Sequence, residues 1–243
     1  LRVKQEADIL DPQNIFPDMN VGDGAYMNLC WKWLLLVGVI CAAAAGCFLL
    51  SSQVPPTATI APRVETGGNL TLIYPQVEGL GSKGDKINQT IAREVAGFSL
   101  QHQAPDHSGQ VGYKVVFNRN HLLSVRLRES FYVQHAAHPM SYQRGFTFDT
   151  KTGDLLRLED LFQPGANFRS RLDELAKQQL AQRRIILLKP YPGISDQQEF
   201  YLTDGALIIY YQLYEYTAYV YGFIELPIPY EQLAGLIRPE LIR

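Results

Sequence analysis

From Trp33 to Leu50 the chain runs through 18 residues, WLLLVGVICAAAAGCFLL, without a charge and without a polar stripe. At about 1.5 Å of rise per helical residue this run reaches nearly across a hydrocarbon core of about 30 Å. A buried helix of a globular domain would show a polar position every three or four residues, and none is present. The pattern therefore predicts a transmembrane or signal segment over 33–50.

Past this segment the periodicity changes twice. Residues 51–68, rich in Pro, Thr and Gly and without a helical period, read as a spacer, so that the folded unit would span 69–243. Asn69 to Pro75 alternates as a strand does. Asp85 to Leu100 then places Ile87, Ile91, Val95 and Phe98 on one helical face. Val111 to Phe117 and Leu122 to Val133 alternate again, joined by a polar turn at Asn118-Arg119-Asn120, and His121 reads as a turn residue. Tyr142 to Asp149 and Leu155 to Leu158 form a further strand pair.

Asn167 is placed to cap a helix running to about Arg184, with Phe168, Leu172, Leu175 and Gln179 on one side. Phe200 to Leu202 and Ala206 to Gln212 flank Thr203-Asp204-Gly205, where Asp-Gly suits a tight turn of positive φ. Thr217 to Leu226 reads as a last strand stopped by Pro227 and Pro229, and Tyr230 to Ile237 as a short helix. Regular βαβ alternation is absent. The expected class is α+β, with antiparallel sheet meanders and two longer helices behind one N-terminal transmembrane or signal segment.

Composition narrows the functional classes. The chain is 47% hydrophobic and 19% charged, with 22 basic against 24 acidic residues. It thus lacks the basic excess with which most nucleic-acid binders neutralise phosphate, and no nucleic-acid partner is expected. The tail 1–32 is acidic and carries few cations, so charge sets the orientation of the segment weakly, with the C-terminus outside. Met27 opens a short sequence, MNLCWKW, of the kind that begins a secretory signal, which suggests a start at Met27 and a non-native stretch before it. Three fates fit the apolar segment: an uncleaved anchor, cleavage after Ala42 to Ala45, or lipidation of Cys47 in Ala44-Ala45-Gly46-Cys47, which approximates a lipobox. All three cysteines, Cys30, Cys41 and Cys47, lie in or beside it, so the part from Ser51 onward can form neither a disulfide nor a thiolate site.

Enzyme signatures are missing. Neither Gly-x-Ser-x-Gly, Ser-x-x-Lys nor His-Glu-x-x-His occurs, nor a glycine-rich nucleotide loop, and no cofactor is expected. His135 and His138 would point to opposite faces of an extended segment, and no third ligand stands near, so no metal site is expected. His102 and His107 flank Asp106 in a polar loop and read as solvated. Asn69-Leu-Thr and Asn88-Gln-Thr match the glycosylation sequon, a motif short enough to arise by chance. One composition feature stands out: Tyr201, Tyr210, Tyr211, Tyr214, Tyr216, Tyr219, Tyr221 and Tyr230 crowd one stretch. Strand packing accounts for aromatics of this kind; a recognition face of rigid amphipathic rings is the alternative.

The run His138-Pro139, then Phe146-Thr-Phe-Asp-Thr-Lys-Thr-Gly153, Leu158-Glu-Asp-Leu-Phe162 and Tyr214-Glu-Tyr-Thr-Ala-Tyr219 with Gly222 and Ile228-Pro229, resembles a known extracellular domain. It is similar to the C-terminal domain of the RsiV-like, lysozyme-binding anti-sigma factors of Gram-positive bacteria, which also accompanies some peptidoglycan deacetylases. Where that family often has Gly-Gly-Ala-His, this chain has His135-Ala136-Ala137-His138. The resemblance implies a membrane-tethered extracytoplasmic binding module for a cell-envelope ligand, a lysozyme-like protein first. Candidate ligand-binding residues are Tyr214, Glu215, Tyr219, Tyr221, His138 and Asp149. Acidic Glu215 and Glu225 beside the tyrosines would favour a basic partner. A sigma-factor contact is not expected, because residues 1–26 show no helical stripe. The alternative is an accessory or enzymatic cell-wall domain, with His138, Asp149 and the tyrosines forming a sugar cleft on peptidoglycan.

Overall fold

Two helices are amphipathic enough to need a sheet, and each finds one. The computed structural model describes residues 57–241. Strands β1 (Thr59–Gly67) and β2 (Leu70–Glu78) lead into helix α1 (Ser82–Gln101), followed by β3 (His107–Arg119), β4 (Leu122–Val133), β5 (Met140–Asp149) and the two-residue β6 (Asp154–Leu155). Helix α2 (Phe168–Gln182) then precedes β7 (Phe200–Leu202), β8 (Ala206–Tyr211) and β9 (Ile224–Pro229). The first six strands form one sheet in chain order and the last three a second.

The layering follows from side-chain period. On α1, Ile87, Ile91, Val95 and Phe98 are buried, as the helical spacing predicts. They pack on Val111, Leu123, Val125, Leu127, Phe146 and Phe148 of the six-stranded sheet. Leu172, Leu175, Ala176 and Leu180 of α2 pack on Phe200, Leu202, Leu207, Ile209, Leu226 and Ile228 of the three-stranded sheet. The opposite faces of the two sheets meet each other: Tyr201, Ile208 and Tyr210 pack with Val116, and the backbone N–H of Leu202 donates to Ser124 Oγ at 3.0 Å. The order of layers is helix, sheet, sheet, helix. The alternate polar positions of β4 and β5 are therefore covered, and Ser124 and Gln143 are both 0% exposed.

The α+β class and the two helices stand, with these corrections. The sheets are not wholly antiparallel: β2 and β3 pair in parallel at Leu70–Leu72 with Gly109–Val111, because α1 carries the chain back across the sheet between them. Part of the expected spacer is β1, which pairs along its length with β2. Its residues are mostly exposed, so no apolar alternation marks it, and backbone bonds rather than burial hold it there. Asn118 anchors its entry, accepting from the N–H of Ala58 (3.0 Å) and donating to its carbonyl (2.8 Å). The second strand of the β5–β6 pair is short and gives way to a 3-10 turn at Leu158–Leu161. Asn167 precedes α2 but makes no side-chain capping bond.

In the second sheet, Thr203 rather than a positive-φ pair closes the β7–β8 turn: its Oγ1 accepts from Ala206 N–H at 3.2 Å, and neither Asp204 nor Gly205 has positive φ. The expected strand from Thr217 is instead a loop with a 3-10 turn at Tyr219–Tyr221, and β9 begins at Ile224 and runs through both prolines. Proline lacks the N–H a central strand requires, but β9 is an edge strand that pairs with β8 alone. Asn88 does not stand free as a sequon acceptor: it clamps α1 to β2, accepting from Val77 N–H at 2.7 Å and donating to Val77 O at 2.9 Å. The tail 1–32, the apolar segment 33–50 and Cys47 lie outside the described residues. Among the described residues no helix is long and apolar enough to cross a membrane.

Candidate recognition site

Two loops meet at one end of the sheets. The β4–β5 loop brings His138 and Pro139, and the β8–β9 loop brings Tyr214 and Tyr219. The His138 and Tyr219 ring centroids are 4.6 Å apart, those of Tyr214 and Tyr219 5.5 Å, and those of His138 and Tyr214 6.2 Å. His138 Nδ1 donates to the Pro139 carbonyl at 2.8 Å. In the neutral ring this leaves Nε2 to accept from the Tyr214 hydroxyl at 3.1 Å. Tyr219 OH donates to the same carbonyl at 3.4 Å. The rings face solvent: Tyr214 is 47% and Tyr219 37% exposed. Next to them Val220 is 79% exposed, and Tyr221 accepts from Ile186 N–H at 3.4 Å.

Tyr214 has φ of 62°, a left-handed conformation that a bulky side chain rarely adopts. Glu215 holds this turn: its Oε2 accepts from Gln212 N–H at 2.8 Å, and its own N–H donates to the Gln212 carbonyl at 3.2 Å. Tyr214 thus holds a sparsely populated backbone conformation at a solvent-facing tip.

The structure divides the other candidates. Tyr201, Tyr210, Tyr211 and Tyr230 are buried packing residues, and burial pushes the pKa of each phenol upward. Asp149 belongs to the β5–β6 turn, where its Oδ1 accepts from Lys151 N–H at 2.7 Å. It sits at the far end of β5 from His138, about 30 Å away at some 3.3 Å per residue. One sugar cleft containing both is therefore not formed. Glu225 is engaged internally, its Oε1 accepting from Arg126 at 3.3 Å and Gln143 at 2.9 Å, which weakens the expected attraction of a basic partner. His102 is not solvated: it is buried and stacked on Phe131 at 3.9 Å, and its pKa is lowered by burial and then by His107. Among the described residues no three His, Cys, Asp or Glu side chains are placed so that they could hold a metal ion together.

Beside the aromatic cluster opens a cleft of about 400 Å³, lined by Arg144, Glu199, Tyr210, Tyr211, Glu215 and Tyr216 among others. Arg144 bridges α1 and the second sheet, donating from Nε to Glu94 at 2.8 Å and from Nη1 to Glu199 at 3.2 Å. Glu129 lies close to this array, only 4% exposed, and its Oε1 has no hydrogen-bond partner. Burial, followed by repulsion from Glu94, pushes its pKa up to about 7. The free edge of β5 is closed by side chains: Gln212 Oε1 accepts from Gln143 N–H at 3.0 Å, and Tyr210 OH accepts from Gly145 N–H at 2.6 Å. Sequence reasoning missed Glu94, Glu129, Arg144, Glu199 and Gln212. A signal existed for two of them, since Glu129 and Arg144 interrupt the apolar faces that Leu127 and Phe146 continue.

Comparison with known proteins places the fold without assigning a ligand. Residues 159–231 match a family model described as a protein of unknown function, DUF3298. That stretch runs from the 3-10 turn before α2 through the second sheet. Two crystal structures of DUF3298 family proteins are similar over most of the domain. One, from Pseudomonas aeruginosa PAO1, is 18% identical with a TM-score of 0.56, covering 79% of this chain and 98% of its own. The other, from Bacteroides fragilis NCTC 9343, is 16% identical with a TM-score of 0.54, covering 77% and 97%. At such identities the likeness shows the fold. No curated protein matches the chain.

Proposed function

We propose that this domain is a membrane-tethered extracytoplasmic binding module of the RsiV-like kind, acting through its surface rather than by catalysis. Its ligand is a cell-envelope component, with a lysozyme-like protein the first candidate. The observation that carries this reading is the exposed contact of His138, Tyr214 and Tyr219, contributed by two loops far apart in sequence. Rigid aromatic rings with polar tips bury large area on binding at little entropic cost.

Position supports the same reading. The first described residues, Thr57 and Ala58, bond to Asn118 at the β3–β4 turn, whereas His138 follows the opposite end of β4. Twelve residues of strand separate these ends by about 40 Å. A domain tethered through residues 33–50 and a short spacer would thus hold its aromatic tip away from the bilayer.

The test is calorimetric titration of residues 57–243 with lysozyme and with soluble peptidoglycan fragments. Tyr214→Ala and Tyr219→Ala are each expected to weaken lysozyme binding by about 1 to 3 kcal/mol, with little change in stability because both rings are exposed. Heat with glycan alone would overturn the protein-binding reading in favour of a peptidoglycan module.

A further inference from the structure

The outer edge of β1 is long and open. Among the described residues β1 pairs with β2 alone, over nine residues without a register shift. Every residue from Pro62 to Gly67 is exposed, and Val64 is 50% exposed. Which backbone groups face outward follows from one pair. Pro62 stands opposite Pro75, and neither has an N–H, so theirs is a non-hydrogen-bonded pair whose backbone groups point away from each other. By alternation Ile60, Val64 and Thr66 turn both N–H and carbonyl to the open edge, and Pro62 turns its carbonyl there. Natural edges are blunted by lysine, proline, a bulge or a covering segment. Here Pro62 is the one such device within the strand. Thr57 and Ala58 bond to Asn118 of β3, so the chain enters β1 from the inner side of the sheet rather than along this edge.

We propose that two copies of this chain pair antiparallel along β1, with Val64 on the two-fold axis, joining their six-stranded sheets into one continuous sheet. The charges along the edge select both the partner and the register. Centred on Arg63, a two-fold pairing would set guanidinium against guanidinium; centred on Glu65, carboxylate against carboxylate; centred on Pro62, no N–H stands at the axis. Centred on Val64, Arg63 faces the partner's Glu65 on both sides of the axis. These are non-hydrogen-bonded pairs, the kind that bring side chains closest. Val64 then exchanges both backbone bonds with the partner's Val64, and each Thr66 N–H meets the partner's Pro62 carbonyl. The missing Pro62 N–H costs one bond per strand, toward the end of the ladder. Arg63 uses Nε on Glu65 Oε1, which also accepts from Tyr74. Among the described residues no hydrogen bond or ion pair uses the two Nη groups of Arg63 or Oε2 of Glu65, so these are left for the partner.

This inference goes beyond the docking reading and does not rest on it. Strands β2 and β3 stand between β1 and β4, so the pairing leaves His138, Tyr214 and Tyr219 open. The antiparallel arrangement puts the two aromatic tips at opposite ends. For copies tethered to one bilayer, pairing lays the strands along the membrane, so pairing and outward presentation of the tip are alternative states.

Both hydrophobic cores close within residues 58–241, so residues 57–243 form a self-contained unit for the test. Sedimentation equilibrium from about 10 μM to about 1 mM should show monomer and dimer in exchange. Arg63→Glu and Glu65→Arg each set like charges opposite one another and should weaken the dimer about tenfold or more, while the double variant Arg63→Glu, Glu65→Arg restores it. Val64→Pro removes an N–H that the β1–β2 ladder does not use and should abolish pairing with the fold intact. Cysteine variants read the register, since residues 57–243 contain no cysteine. On the axis, Val64→Cys brings two thiols together at a Cα separation of about 5.5 Å, within disulfide range. Ile60 and the partner's Ile60 would lie about 26 Å apart at some 3.3 Å per residue. Oxidation should therefore link Val64→Cys into dimers and leave Ile60→Cys monomeric. A monomer at every concentration would overturn the proposal. A dimer indifferent to both Arg63→Glu and Val64→Pro, or equal linking of the two cysteine variants, would overturn it as well. Should a charge variant fail to fold, the wild-type equilibrium and the two cysteine variants decide.

Discussion

Glu129 is the residue whose chemistry departs furthest from its type. Its carboxyl titrates near 7 in the folded chain against 4.5 ordinarily, so between these values the native state holds a proton that the unfolded state has released. Stability must then fall as pH rises through that window, with the full penalty present above about pH 7. The penalty is of the order of 1 to 3 kcal/mol. Glu129→Gln, neutral throughout, should lose this component, and urea midpoints of both proteins at about pH 5 and about pH 8 measure it. His102, with its lowered pKa, acts in the opposite sense, its contribution falling as pH drops, so the difference between wild type and variant is the quantity to read. An unchanged pH slope in the variant would show that Glu129 ionises normally. Tyr210→Phe removes the acceptor for Gly145 N–H and should cost about 1 to 3 kcal/mol in chemical denaturation. At this scale the crowding of tyrosines marked Tyr214 and Tyr219, and a family resemblance marked His138. The sequence could not show that Glu215 and Asp149 hold turns, because side-chain type is silent about which backbone N–H lies within reach.

Among the elements, those with a buried face were legible and those held by backbone bonds were not. The α1 face was read residue for residue, since burial repeats at helical spacing whatever lies opposite. Strand β1 was missed because an exposed edge carries no such repeat, and β9 was truncated because prolines exclude a central strand but not an edge. Strand β5 shows the complementary case. A Cβ on Gly145 would lie 2.2 Å from the Phe200 carbonyl oxygen, so the glycine marks where the second sheet crosses the first. Gly145→Ala should force β7 away and destabilise the fold by about 1 to 3 kcal/mol or more. A thermal melt within a degree of wild type would mean that the sheets separate there without cost.

For the whole molecule, the polar layer between the sheets is the unexpected feature. Ser124 bonds to Thr147 at 2.9 Å and receives Leu202 N–H at 3.0 Å, and Phe117 and Leu122 of the first sheet join the core around α2. The layers therefore share buried groups, and residues 57–243 should unfold in one transition, with circular dichroism and tyrosine fluorescence coincident. Two resolved transitions would show that each helix and sheet pair folds alone. Alternation along β4 and β5 established the strands, their hairpins and the α+β class, because period and turn chemistry are local properties that a chain carries wherever it folds. Which face meets water is not local. Ser124, Gln143 and Thr147 are buried beneath a second sheet encoded fifty or more residues downstream. The same long-range packing brings His138 to Tyr214 and Tyr219, sets Glu94, Glu129 and Glu199 around Arg144, and carries Asp149 to the opposite end of the strand that follows His138.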